Sequence, residues 1–159
     1  MTPQELSEKL KTKFGKAVIE VKINGVLNPY VKVFPAKLKD VAFFLRDDAD
    51  LQFDYLMCLS GIDYGKGTLG VVYHLFSMSK RHKITVKVEV PVDKPEVPSV
   101  TEVWHSANWH EREAYDLVGI VFTGHPDLRR ILCPDDYPGH PLRKDFKVPE
   151  FYQGMKVPY

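Results

Sequence analysis

The last 34 residues, 126–159, constrain the fold more than any other feature of the sequence. They contain six of the chain's twelve prolines and no periodic apolar segment, which argues against a helix or an ordinary strand there. Leucine, isoleucine, phenylalanine and tyrosine side chains are nevertheless spread through the segment, unlike in a disordered polar tail. We predict an extended, irregular C-terminal arm, residues 123–159, that wraps a partner protein. The alternative is that this arm packs back on its own domain.

The first 122 residues have the pattern of one α+β domain, with a largely antiparallel mixed sheet and three packed helices. Residues 84–90 alternate strictly between aliphatic and polar side chains, which is the clearest strand signal in the sequence. The predicted order is helix, two strands, helix, three strands, helix. The helices are expected at residues 3–13, 36–47 and from about 108 to 118, and the strands at residues 19–23, 30–34, 53–62, 69–76 and 84–90.

Composition limits the classes of partner and cofactor. Lys and Arg total 22 against 21 Asp and Glu, so the net charge of +1 argues against nucleic acid or an anionic membrane as the main partner. No apolar run approaches the roughly 20 residues of a membrane span, and no secretory signal is evident, so we expect a soluble protein of a reducing compartment. The two cysteines, Cys58 and Cys133, form no CxxC pair, which excludes a four-cysteine cluster held by this chain alone.

The densest polar cluster is His110-Glu111-Arg112-Glu113, followed by Asp116. Four consecutive side chains sweep about 300° around a helix, so they cannot all face water. We expect at least one buried or partner-covered charge pair, with Arg112 between carboxylates. A buried ion-pair network is favoured over an interface role, and both are favoured over a catalytic acid/base pair.

Two details of this cluster stay open or are excluded. Asn108 with Glu111 resembles a capping box, although Ser106 is a competing helix cap. A zincin HExxH motif would need histidine where the chain has Ala114. The six histidines match no metal-site template, and no phosphate-loop, GxGxxG or GxSxG motif occurs, so we expect no metal site and no catalytic residue.

The arm contains a quasi-repeat, Gly124-His125-Pro126 and then Gly139-His140-Pro141, each followed by basic residues. Glycine and proline on either side fix each histidine in a turn at a set angle. We interpret the two turns as docking points on an acidic partner surface, because arginine favours bidentate contact with carboxylates. Coincidental turn composition is the alternative.

These residues, taken together, resemble one family, the 30-kDa subunit of respiratory complex I. The resemblance lies in residues 111–118, His125 and residues 129–132, and it extends through residues 139–146. It also covers residues 61–64, 72–75 and 104–109, so it spans most of residues 50–147.

The resemblance implies a cofactor-free structural subunit of the hydrophilic arm of a proton-pumping NADH–quinone oxidoreductase. FMN and the iron–sulfur clusters would lie in partner subunits, and the C-terminal arm would extend over the 49-kDa quinone-site subunit. Association with the membrane, at its cytoplasmic face, would come only through the complex. The signature or partner-interface residues carried across by position are Glu111, Arg112, Glu113, Asp116, His125, Arg129, Arg130, His140, Arg143, Lys144, Asp145 and Phe146.

Two other hypotheses about the function remain. Related subunits occur in energy-converting hydrogenases and in complex I-like dehydrogenases that use another electron donor, and the donor is chosen by other subunits. A free-standing hydrolase that uses Glu111 or Glu113 with a histidine is the alternative from a different class. It predicts a concave pocket around these groups.

Overall fold

The computed structural model describes residues 1–157; the last two residues of the predicted arm, Pro158 and Tyr159, lie outside the described part. Two 3₁₀ turns, Gly15–Ala17 and Pro35–Lys37, connect elements in the first third. The helices are α1 (Pro3–Phe14), α2 (Leu38–Asp47) and α3 (Ala107–Val118). The strands are β1 (Val18–Lys22), β2 (Tyr30–Val33), β3 (Tyr55–Gly65), β4 (Thr68–Phe76), β5 (Lys83–Pro91), β6 (Glu96–Pro98), β7 (Val121–Thr123), β8 (Phe151–Tyr152) and β9 (Met155–Lys156).

The main sheet has five strands in the order β1-β2-β5-β4-β3. Every neighbouring pair is antiparallel except β2 and β5, which run parallel because the chain crosses the sheet between them. The predicted α+β class, with a largely antiparallel mixed sheet and three helices, is confirmed. Two small ribbons, β6 with β7 and β8 with β9, were not predicted, because two- and three-residue strands leave no periodic signal.

The ends of the helices follow from local sequence. Thr2 and Glu5 form a capping box at the start of α1, and Pro3 occupies the first helical turn. Gly119 ends α3 in the left-handed conformation, with φ of 83°. The capping box considered for α3 is wrong, because Glu111 is buried and does not reach back to the helix start.

One hydrophobic core joins the sheet and the three helices. On the sheet, Tyr73 pairs with Val86 and Val71 pairs with Val88, and all four are buried. At the edge of the sheet, α3 packs so closely on β3 that a methyl group added at Gly61 would lie 3.0 Å from the Cβ atom of Ala114. This close approach fixes the position of α3 against β3.

Beyond β7 the chain follows an irregular path of turns and bends from residue 124 to residue 150, before the β8–β9 hairpin. No helix within residues 1–157 is long and apolar enough to cross a bilayer.

Candidate functional site

The centre of the site is Asp116, a fully buried carboxylate near the end of α3. Its Oδ2 atom accepts three backbone N–H groups of the arm, from Ile131 at 3.0 Å, Leu132 at 2.7 Å and Cys133 at 2.8 Å. Its Oδ1 atom accepts the Nη1 atom of Arg130 at 2.8 Å. One side chain of the domain therefore fixes four consecutive residues of the arm.

The charge on Asp116 is held by these bonds. Burial alone would raise the pKa of this carboxyl, but the three N–H groups and the Arg130 guanidinium outweigh burial and lower its pKa to about 2. The carboxylate therefore stays ionised throughout the neutral range. A buried charge with this many donors ties the arm to α3, and the predicted buried charge pair in this segment is confirmed.

Arg112 plays a different part from the one expected. Its guanidinium donates to the carbonyl oxygens of Arg129 at 3.2 Å and Arg130 at 3.0 Å. The expectation that Arg112 lies between carboxylates is wrong; Arg130 is the partner of Asp116, and Arg130 also donates to the carbonyl of Gly139 at 2.9 Å. Both arginines therefore organise the backbone of the arm.

The arm is attached at two further points. The N–H of Leu142 donates to the carbonyl of Leu117 at 2.9 Å. The N–H of Lys144 donates to the Oδ2 atom of Asp63 at 2.8 Å, while the Oδ1 atom of the same carboxylate caps Gly65 in the β3–β4 turn at 2.7 Å. These bonds lower the pKa of Asp63. Residues 129–144 of the arm thus follow their own domain.

Both histidines of the quasi-repeat contact α3. A ring nitrogen of His125 donates to the carbonyl of Asn108 at 3.2 Å, and a ring nitrogen of His140 donates to the carbonyl of Asp116 at 2.9 Å. Gly124 and Gly139 have φ values of 81° and 72°, in accord with the predicted turns.

Two arginines of the quasi-repeat form ion pairs with neighbouring residues of the arm. Arg129 pairs with Asp127 at 2.9 Å, and Arg143 pairs with Asp145 at 3.0 Å. The ring of Phe146 stacks on Tyr137, with centroids 6.2 Å apart. Lys144 is exposed at its side chain. Docking of these turns on an acidic partner stays a prediction.

Glu111 lies apart from the arm, fully buried toward the core. Its Oε1 atom accepts the N–H of Val100 at 2.7 Å, whereas its Oε2 atom and the buried hydroxyl of Tyr73 have no hydrogen-bond partner within the described residues. Burial raises the pKa of Glu111 to about 7, against the lowering effect of the Val100 N–H. Glu113 is exposed. Glu113 lines a groove between α3 and β3 together with His110, whereas Glu111 does not line it, so the two glutamates do not form an acid/base pair in one pocket.

Large apolar side chains are exposed along the arm, and we refer to them together as its apolar outer surface. Five of these side chains are between 55% and 66% exposed. They are Leu132, Leu142, Val148, Phe151 and Met155. Large apolar side chains that stay exposed in this way are typical of a surface that binds a partner.

Sequence reasoning missed Asp63 as an anchor of the arm and Leu142 as a surface residue. A signal was present for the first, since Asp63 lies in one of the segments, residues 61–64, that carry the family resemblance. Within residues 1–157 no three His, Cys, Asp or Glu side chains cluster as metal ligands, and both cysteines are free thiols.

The chain is similar to several known proteins. A family model described as "Respiratory-chain NADH dehydrogenase, 30 Kd subunit" matches residues 31–152, which include nearly all of β2, the other strands of the main sheet except β1, α3 and most of the arm. The chain belongs to this family. The resemblance described from the sequence is confirmed.

Two relatives are named as subunits of NADH-quinone oxidoreductase. The protein of Chloroherpeton thalassium is 54% identical over 160 residues, which cover 99% of this chain and 66% of that protein. The protein of Chlorobium phaeobacteroides is 50% identical over 153 residues, which cover 94% of this chain and 92% of that protein. This chain therefore spans about two thirds of the first relative and most of the second.

Two solved structures share the fold. A trypsin-resistant fragment of Nqo5 matches with a TM-score of 0.64 and 34% identity, over 77% of this chain and 98% of the fragment. A chain of the membrane-bound sulfane sulfur reductase, an archaeal respiratory membrane complex, matches with a TM-score of 0.75 and 24% identity, over 91% of this chain and 85% of that one. At that identity the second likeness concerns the fold alone.

Proposed function

We propose that this chain is a structural subunit of the hydrophilic arm of a proton-pumping NADH–quinone oxidoreductase and carries no redox group itself. Membership of the 30-kDa subunit family supports the assignment to the complex. The absence of a cysteine set for a cluster supports a role in assembly, with FMN and iron–sulfur clusters bound by partner subunits.

The observation that carries the proposal is the fixed arm with an apolar outer surface. Asp116 and Asp63 tie the backbone of residues 131–144 to the domain, so this stretch has already lost conformational entropy before a partner binds. Exposed Leu132 and Leu142 lie within this stretch and are available to a partner without further ordering, and exposed Phe151 follows in the β8–β9 hairpin. A preorganised apolar outer surface is suited to holding a partner subunit in a fixed orientation relative to this chain.

The partner we propose is the 49-kDa quinone-site subunit, placed against the outer surface of the arm. The complex would then hold this chain at the cytoplasmic face of the plasma membrane. The near-zero net charge is consistent with a chain that stays within an assembly.

The test is co-purification of a doubly substituted chain, Phe151→Asp with Met155→Asp, with the 49-kDa subunit. Both side chains are mostly exposed, so the domain is expected to fold, and the loss of apolar contact is expected to reduce recovery of the partner at least about tenfold. The matched control is Leu27→Asp, an exposed leucine far from the arm in sequence. Equal recovery with both variants would contradict the proposal.

A second assignment is an equivalent subunit of an energy-converting hydrogenase or another complex I-like dehydrogenase. The shared fold with a chain of the sulfane sulfur reductase complex favours keeping it, because this fold then serves complexes with different chemistry. The co-purified subunits distinguish the two. Flavin- and NADH-binding subunits support the first assignment, and a large subunit with nickel–iron ligands supports the second.

A further inference from the structure

The two edges of the main sheet differ in how they meet solvent. One edge is β1, which pairs with β2 over only a few residues, is irregular between Val18 and Glu20, and carries the charged side chains of Glu20 and Lys22. Short length, a bulge and charge are the usual devices that prevent a sheet edge from pairing with another chain. The β1 edge is therefore protected.

The other edge is β3, and its central part lacks those devices. Between two irregularities, six consecutive residues, 58–63, pair with β4 in unbroken register. The strand has no lysine, arginine or proline from Tyr55 to Gly65, and Asp63, its one charged residue, is already engaged by the arm. Within residues 1–157 no other segment forms a main-chain hydrogen bond with the outer side of this strand. The edge is open to another strand.

A groove runs beside this open edge. It is lined on one side by β3 residues Cys58 to Gly61 and on the other by α3 residues that include His110 and Glu113, and Leu142 of the arm also lines it. Its volume is about 240 Å³, the space of roughly eight water molecules at liquid density. The groove therefore has room for side chains of an added strand.

The charge of the groove also limits its occupant. The β3 wall is uncharged, and Glu113 on the α3 wall forms no ion pair with any residue among 1–157. A basic side chain on the occupant would pair with Glu113, while the rest of the occupant would be uncharged. Leu142 belongs both to this groove and to the apolar surface of the arm, so one partner can contact both.

We propose that residues 58–63 of β3 accept an extended segment of a partner subunit as a sixth strand of the sheet. The added segment is uncharged opposite β3, places an apolar side chain in the groove and carries a basic residue that faces Glu113. This inference rests on the proposed function, since it names how a subunit of the same complex is held. Main-chain hydrogen bonds provide affinity, and the groove and Glu113 provide selectivity.

The test is residue-resolved hydrogen–deuterium exchange on the intact complex purified from its membrane, compared with the free full-length chain. In the free chain, every second amide of residues 58–63 points to the open edge and exchanges fast, while the amides bonded to β4 are protected. In the complex, we expect these alternate amides to exchange at least about tenfold more slowly. Amides of β1 at residues 20–22 are the control and are expected to keep their rate.

If the exchange rates at residues 58–63 are the same in the complex and in the free chain, the inference is overturned. It is also overturned if all amides of these residues slow equally in the complex, instead of only the alternate amides that face the open edge. Protection already present in the free chain at concentrations where it sediments as a dimer would overturn it in favour of a second copy. If the chain is missing from the purified complex, the proposed function itself fails, which is a separate result. Two variants give an independent reading: Ser60→Lys is expected to weaken incorporation about tenfold, and Ile19→Lys on the protected edge to leave it unchanged.

Discussion

Replacement of Asp116 by asparagine removes the charge that holds the arm and keeps the size of the side chain. In the folded protein the pKa of Asp116 is about 2, below its ordinary value of 3.8. The ionised form is therefore favoured in the folded state by roughly 1.8 pH units, which corresponds to about 2.5 kcal/mol at neutral pH. The amide also leaves Arg130 without its carboxylate, and a broken buried pair costs about 3–5 kcal/mol. We expect a loss of about 3 kcal/mol.

The free energy of unfolding of the full chain in urea, followed by far-UV circular dichroism at pH 7, measures this loss. The stabilisation from a lowered carboxyl pKa is present above the unfolded-state pKa and disappears as the pH falls through the folded-state pKa. The wild type is therefore expected to lose its advantage over Asp116→Asn between about pH 4 and pH 2. Backbone amides of Ile131, Leu132 and Cys133 should exchange faster in the variant, since their acceptor is weakened.

Asp127→Asn is the matched control. Asp127 pairs with Arg129 in the same arm, but both side chains are exposed, so its loss is expected to cost under about 0.5 kcal/mol. The reasoning is refuted if Asp116→Asn lowers the free energy of unfolding no more than Asp127→Asn does, with the amides of residues 131–133 still protected.

Two further predictions concern α3 and its end. Because burial raises the folded-state pKa of Glu111 to about 7 from 4.5, protonation stabilises the folded state, and this contribution of up to about 3 kcal/mol is lost as the pH rises from about 4.5 through 7. Glu111→Gln should abolish this fall in the free energy of unfolding, measured in urea from pH 5 to 8. If the variant keeps the pH dependence of the wild type, the raised pKa does not belong to Glu111. Gly119→Ala should destabilise the chain by at least about 1 kcal/mol, because φ is 83° and the new methyl would lie 2.6 Å from the His140 ring. Its thermal midpoint should fall and the His140 ring should shift in NMR spectra; unchanged values would disprove this contact.

The domain could be predicted because its elements leave strong local signals. The alternation of Ile84, Val86, Val88 and Val90 defines β5, and helical spacing of Leu38, Val41 and Leu45 defines α2. The strands that pair with β5 could not be predicted from the sequence, since pairing depends on contacts between distant segments. The parallel pairing of β2 with β5, 50 or more residues apart, has no local signature.

The sequence predicted most residues of the site but only part of the contacts between them. The density of charge on α3 required a buried pair, and Asp116 with Arg130 provides it. The choice of Arg130 over Arg112 was not predictable, because it depends on how the arm turns back across α3. The role of Asp63, 81 residues from Lys144, depends likewise on tertiary structure.

Cross-linking mass spectrometry on the intact complex tests most directly whether the outer surface of the arm lies on a partner. Lys147 and Lys156 are exposed on the arm, and Lys16 is exposed in the turn after α1. We predict that amine-reactive cross-links from the two arm lysines reach the large quinone-site subunit, while Lys16 gives none to it. Cross-links from Lys147 and Lys156 only to this chain's own domain would contradict the account.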